Sequence, residues 1–371
     1  MSSDNFCIRW TGQIVPPVSG RYELTVGAND GFRRFIDGKP LIDNWQLNPR
    51  MQSRSAFIDL EAGKPHDIEL EYFEDSRDAE VRLAWRLPGA KPPFEEALDA
   101  ARAAEVVVFV GGLTGDIEGE EMQVSYPGFA GGDRTDLRLP APQERLLEAL
   151  HTTGKPVVLL LTTCSALAVD WAKDHLPAIL VAWYPGQRGG DAVADVLFGA
   201  ANPAGRLPVT FYQAAEKLPA FDNYDMRGRT YRYFAGEPLY PFGYGLSYTR
   251  FEYSGLQVDR SRVAESGTVN VSVNVKNAGA RAGDEVVQLY AKPMGPHQLR
   301  ALKDLRGIER ITLQPGESRR VSFALVPKRD LTYYDEQRKS GNTIAPAWPY
   351  YSQHDHAPGR RIGGTTGCHY T

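Results

Sequence analysis

The chain has 371 residues, with 42 Lys and Arg against 46 Asp and Glu, for a formal net charge of −4. That length allows two to three domains. The mildly acidic balance argues against nucleic acid as a partner, because phosphate binding needs a basic face. No apolar run approaches the roughly 20 residues of a membrane-spanning helix, so no membrane partner is expected. Cys7, Cys164 and Cys368 are too scattered for a metal-ligand set or a disulfide framework. The opening MSSDNFCIRWTGQ lacks the basic and apolar segments of a secretory signal, and the compartment stays open between periplasm and cytoplasm.

From residue 6 to residue 85 the sequence reads as short strands with turn punctuation. Gly20 to Val26 and His66 to Phe73 alternate with period two, and Asp30-Gly31 and Asp37-Gly38 are hairpin signals. A β-sandwich is expected.

The pattern changes after residue 92. Phe94 to Ala104 has helical spacing, and Val106 to Val110 is a continuous apolar run ending at Gly111-Gly112, as in a strand buried on both faces. A loop of about twenty residues follows, without apolar periodicity, carrying Asp116, Glu118, Glu120, Glu121 and Asp133. Such carboxylates point to acid chemistry, a metal site or sugar hydroxyl binding; a solvated acidic loop is the plainer alternative. A helix from Pro142, a strand over Val157 to Leu161, a short helix at Trp171 to His175 and a strand over Ile179 to Trp183 come next. Strand and helix in alternation mean a mainly parallel sheet with helices on both faces. The Glu118 loop, Thr162-Thr163 and Tyr184-Pro185-Gly186 all follow strand C-termini and should share one rim, where ligands of such sheets sit. Cys164, in an apolar strand, reads as a buried small hydrophobe. Gly186 and Gly189-Gly190 lack the lysine or glycine spacing of a phosphate cradle.

Arg227 to Phe234 is basic and aromatic, suited to packing or to stacking on a sugar. Val269 to Val275, Gly283 to Tyr290 and Arg319 to Leu325 are strands of a second sandwich. From Gln337 onward strand alternation fails, and the tail reads as irregular; His354 and His356 resemble a metal pair but are expected to be solvated. The fold class is therefore multidomain α/β plus all-β, a parallel α/β sandwich flanked by two β-sandwiches.

Several stretches resemble known families. GLTGDIEGEEMQVSYPGFAGGDRTDLRLP is similar to the catalytic loop in the C-terminal α/β domain of glycoside hydrolase family 3, the β-glucosidase and β-xylosidase family. AWYPGQRGGDAVADVLFGAANPAGRLPVTF and GRTYRYFAGEPLYPFGYGLSYTRF resemble later parts of the same family. SGRYELTVGANDGFRRFIDGKPLIDNW resembles the PA14 domain, in which adjacent aspartates can hold calcium; here Asn29-Asp30 stands at that place. The resemblance divides the chain into a partial PA14-like sandwich (1–92), the α/β domain (93–225), a linker (226–250), a fibronectin type III-like domain (251–335) and an irregular tail (336–371).

It implies a retaining exo-glycosidase acting on β-glucosides or β-xylosides, whether β-linked oligosaccharides or aryl glycosides, with no cofactor and no metal. Glu118, before Gly119 and upstream of Gly132-Asp133-Arg134, matches the family's acid/base; Glu120 or Glu121 is the alternative donor. Asp116, Glu120, Glu121, Asp133 and Arg134 would bind substrate or brace the loop, the last two as an ion pair. The family's nucleophile is an Asp in an N-terminal barrel that this chain does not contain. The barrel is thus the expected partner, and the chain alone is expected to be inactive, with an apolar docking face exposed. The alternative is a non-catalytic carbohydrate-binding module.

Overall fold

The computed structural model describes residues 4–48, 51–76, 79–122, 124–215, 219–220, 222–292, 301–334, 340–342 and 347–349. The chain divides into two compact units, Met1–Asp99 and Ala100–Thr371. The first is built from β1 (Phe6–Ile14), β2 (Gly20–Ala28), β3 (Gly31–Ile36), β4 (Lys39–Asn44), β5 (Gln52–Leu60), β6 (His66–Glu74) and β7 (Val81–Arg86). These form two antiparallel sheets, ordered β1-β6-β3-β4 and β5-β2-β7. Alternation in β2 turns Tyr22, Leu24, Val26 and Ala28 fully inward. Val26 and Ala28 pack against Phe32, Ile42, Leu70 and Tyr72 of the facing sheet, so the expected β-sandwich is present. Asp37 and Gly38 both take positive φ, 49° and 72°, the type I′ geometry that an Asp-Gly hairpin specifies. The Asp30 carboxylate accepts the backbone N–H groups of Asn48 (3.1 Å) and Asp75 (2.8 Å), which ties two loops together.

Arg34 sits on the inward face of β3 and is 1% exposed. Its Nε and Nη1 find no partner among the described residues, and burial lowers its pKa to about 10. A buried charge without a counter-ion costs several kcal/mol. Arg34→Met, which keeps length and apolar contact, is expected to stabilise this unit by about 1–4 kcal/mol. Denaturant melts measure the change, and a lowered midpoint would contradict it.

Helix α1 (Pro93–Ala103) crosses the boundary between the units. In the second unit β8 (Val107–Gly112) leads into a meander of β9 (Ser125–Tyr126), β10 (Phe129–Ala130) and β11 (Asp133–Arg134), then α2 (Ala141–His151), β12 (Val157–Thr162), α3 (Asp170–His175), β13 (Ala178–Val181), α4 (Gly189–Leu197) and α5 (Thr230–Tyr233). β8, β12 and β13 are parallel, in the order β13-β12-β8. Leu159 and Leu161 of β12 are fully buried, as the apolar run requires. On edge strand β8 the burial is one-sided: Val108 and Val110 are 46% and 60% exposed. Gln143 of α2 clamps the end of this strand: Gly112 N–H donates to Oε1 (2.8 Å), and Nε2 donates to the Gly112 carbonyl (2.9 Å).

The remaining strands, β14 (Phe251–Val258), β15 (Val269–Asn277), β16 (Gly283–Ala291), β17 (Asp304–Leu313) and β18 (Ser318–Leu325), close a second sandwich over Phe251, Val273, Val275, Val287, Ile311, Leu313 and Val321. After α6 (Pro327–Asp330) come β19 (Thr332–Tyr334), β20 (Ser340–Asn342) and β21 (Ala347–Pro349). Most of 336–371, with His354 and His356, lies outside the described residues. The pieces that are described correct the expectation of a strandless tail. β20 pairs with β19, and β21 pairs with β16. Edge pairing is made by main-chain groups, so it does not need side-chain alternation.

The segment before this sandwich packs on it. Tyr231 stacks on Phe242 at 4.3 Å and meets Tyr290 edge-on at 5.9 Å. Arg206 Nη2 bonds Glu285 Oε2 at 2.7 Å with both side chains buried, and the Tyr253 hydroxyl donates to Glu285 Oε1 (2.9 Å). Burial pushes the Glu285 carboxyl up, with Arg206 acting in the opposite sense. Arg206→Ala strands that carboxylate and is expected to cost about 3–5 kcal/mol. Urea unfolding checks this value, and a loss below 1 kcal/mol would show the pair to be dispensable.

Candidate active site

The loops after β8, β12 and β13 meet at the C-terminal rim of the parallel sheet, as expected. The first opens where Leu113 N–H donates to the Thr162 carbonyl (2.8 Å). Its two halves close on each other: Gly119 N–H reaches the Gly132 carbonyl (3.3 Å), and Met122 N–H reaches that of Gly131 (2.8 Å). Gly132 has φ +93°, and a Cβ there would stand 1.9 Å from the Gly119 carbonyl oxygen. Only glycine permits this approach. The second loop is fixed by Thr163, fully buried, whose Oγ1 donates to the Ser165 carbonyl (2.8 Å) and accepts from Ser165 N–H (3.2 Å).

Glu118 is half-buried between these loops. Ser165 Oγ donates to its Oε1 (2.9 Å), and Cys164 Sγ donates to its Oε2 (2.9 Å). Behind Ser165 stands Arg134, whose Nη1 donates to Ser165 Oγ (3.0 Å) and whose Nε donates to the Asp136 carbonyl (2.9 Å). Its guanidinium lies over the Phe129 ring at 5.6 Å. Burial lowers the Arg134 pKa, against the opposing pull of the Glu118 carboxylate. On the other side stands Tyr184, whose phenol is pushed up to about 12, first by burial and then by the neighbouring Cys164. The Cys164 thiol is likewise pushed up, first by burial and then by its bond to Glu118. Trp183, beside Tyr184, has φ +55°, a strained value for a bulky residue.

Of the residues singled out in the sequence, Glu118 and Arg134 are brought together, through Ser165. Asp116 is exposed and bonds only Thr114 (3.3 Å) among the described residues. Glu120, Glu121 and Asp133 are exposed, and their side chains make no hydrogen bond or ion pair among the described residues. The expected Asp133–Arg134 ion pair is not formed. The two are successive residues of β11, so their side chains leave opposite faces. Arg134 braces the loop through carbonyls and a hydroxyl instead. Cys164, expected in the core, is exposed, because β12 ends at Thr162 and the chain has turned out onto the rim. Sequence reasoning placed Tyr184 on this rim but missed Ser165 and the role of Cys164; their one signal was a position just past a strand C-terminus. Among the described residues no group of three or more His, Cys, Asp or Glu is arranged to hold a metal, and no helix is long and apolar enough to cross a membrane.

Fold and rim define an enzyme-type α/β domain that presents one well-held carboxylate, joined to all-β modules. Residues 15–248, more than half of the chain, match the glycosyl hydrolase family 3 C-terminal domain, and residues 285–346 match the fibronectin type III-like domain. The chain belongs to glycoside hydrolase family 3. A xylan 1,4-β-xylosidase of Xylanibacter ruminicola is 35% identical over 351 residues, 92% of this chain and 39% of that protein. A periplasmic β-glucosidase of Salmonella typhimurium is 38% identical over 271 residues, 70% of this chain and 34% of that protein. The chain thus spans well under half the length of these relatives. The fold of a β-glucosidase from Kluyveromyces marxianus superposes on 94% of this chain and 44% of that one, with a TM-score of 0.69 at 24% identity.

Proposed function

We propose that this chain carries the acid/base half of a retaining exo-glycosidase that hydrolyses β-glucosides or β-xylosides. Glu118 would be the acid/base, and a barrel domain would supply the aspartate nucleophile. The observation that carries this reading is the hold on Glu118: both of its oxygens are engaged by donors from a second loop, while the other carboxylates of its own loop face solvent. The names of the relatives, β-xylosidase and β-glucosidase, agree with it.

In a retaining enzyme the two carboxyl groups stand about 5–5.5 Å apart. The protonated Glu118 would give its proton to the glycosidic oxygen as the nucleophile attacks the anomeric carbon. The resulting carboxylate would then take a proton from the water that releases the sugar. The one-sided exposure of Val108 and Val110 on β8 offers an apolar face for a covering domain. The first sandwich is assigned as a PA14-like spacer module. The test is hydrolysis of nitrophenyl β-D-glucoside and β-D-xyloside by the chain alone and after a family 3 barrel is added. Turnover restored by the barrel supports the reading. Sugar binding without turnover in either mixture overturns it in favour of a binding module.

A further inference from the structure

The hydrogen-bond donors around Glu118 fix which of its two oxygens handles the proton. A guanidinium has N–H groups only and cannot accept. In the Arg134 Nη1–Ser165 Oγ contact (3.0 Å) the hydroxyl therefore accepts. A serine hydroxyl carries one hydrogen, and the other acceptor in reach is Glu118 Oε1 (2.9 Å). With Arg134 in place, that hydrogen cannot be turned elsewhere without losing a bond. Oε1 is thus always filled by a donor. Oε2 also accepts, from the Cys164 thiol, but a thiol can turn to accept instead, so a proton arriving on Glu118 is received on Oε2.

We propose that Ser165 is a positioning residue for Glu118, locked as a donor by Arg134, so that Oε2 is the oxygen that gives and takes the proton. The proposal rests on Glu118 being the acid/base, but the contacts behind it do not. The Thr163 hydroxyl holds the backbone of Ser165 from both sides, so removing the Ser165 hydroxyl leaves the turn standing. The carboxylate released by that change is drawn toward the Arg134 guanidinium and leaves the thiol.

Cys164 reports this without any need for turnover. Its thiol is held up by burial and by the bond to Glu118, and thiolate fraction sets the rate of alkylation. The experiment follows iodoacetamide alkylation of the full chain against pH, with Cys7 and Cys368 changed to serine. Glu118→Gln is expected to lower the midpoint and speed alkylation below it by at least about threefold. Ser165→Ala also removes the serine's own bond to the thiol, which by itself raises the midpoint, so it is read as a cycle. Alkylation below the midpoint should respond to Ser165→Ala at least about threefold differently in the parent than in the Glu118→Gln background, the parent shift being the lower. Ser165→Thr, which keeps the hydroxyl, should behave as the parent. A general loosening of the loop would change the limiting rate but not the midpoint. Equal shifts on Ser165→Ala in the parent and in the Glu118→Gln background overturn the proposal, even where Glu118→Gln abolishes hydrolysis in the barrel-supplemented assay. Undiminished hydrolysis in Glu118→Gln overturns the acid/base reading itself, whatever the thiol reports.

Discussion

Glu118→Gln is expected to lower kcat for an alkyl β-glycoside by about 10²- to 10⁴-fold in the barrel-supplemented assay. The amide keeps the size of the side chain. Its oxygen can still accept from Ser165, so the loop should stay as it is. What is lost is a proton to give. The loss should depend on the leaving group. A dinitrophenolate departs as a stable anion and needs no proton, so dinitrophenyl glycosides should lose much less in the first step than methyl or cellobiosyl ones. Steady-state rates on the two substrate types, with a thermal melt as a control for folding, measure the difference. An equal loss on both would assign Glu118 to substrate binding, and no loss on either would move the acid to Glu120 or Glu121.

The second large effect is expected from Gly132→Ala. The new methyl would stand 1.9 Å from the Gly119 carbonyl oxygen, and the backbone at 132 has φ +93°. Neither atom is the end of a flexible side chain, so relief comes only by parting the two halves of the loop. Glu118 is adjacent to Gly119 and must move with it. Displacing a catalytic group by about 1 Å can cost about 10²-fold in rate, and a drop of that order in kcat/KM is expected. The sheet beneath should hold, because Leu113 remains anchored on Thr162. A variant with unaltered activity would show that the loop position is set elsewhere.

Much of the frame was legible in the sequence because it depends on side-chain periodicity. Alternation in Gly20–Ala28 and in Val269–Asn277 is cut to sandwiches, and the unbroken apolar runs at Val107 and Val157 are cut to a parallel sheet. Glu118 was legible by resemblance, not by physics: nothing in the composition of its loop separates it from Glu120 or Glu121. Its partners were not legible. Ser165 and Cys164 lie 47 and 46 positions further along the chain, and only the parallel register of β8 beside β12 brings them to the same edge. The pairing of β21 with β16 was equally hidden, since a main-chain ladder leaves little trace in residue type. The left-handed backbone at Trp183 has no sequence signal at all.

The Gln143 amide has a further consequence. It presents the same donor and acceptor as a peptide group, and both are spent on Gly112 at the outer edge of the sheet. The side chain therefore behaves as a strand one residue long. Any additional strand lying along β8 would have to stop short of this point, as the ladder has no free main-chain group left there. The entrance to the acidic loop is thereby kept clear of sheet extension by a single glutamine on a neighbouring helix.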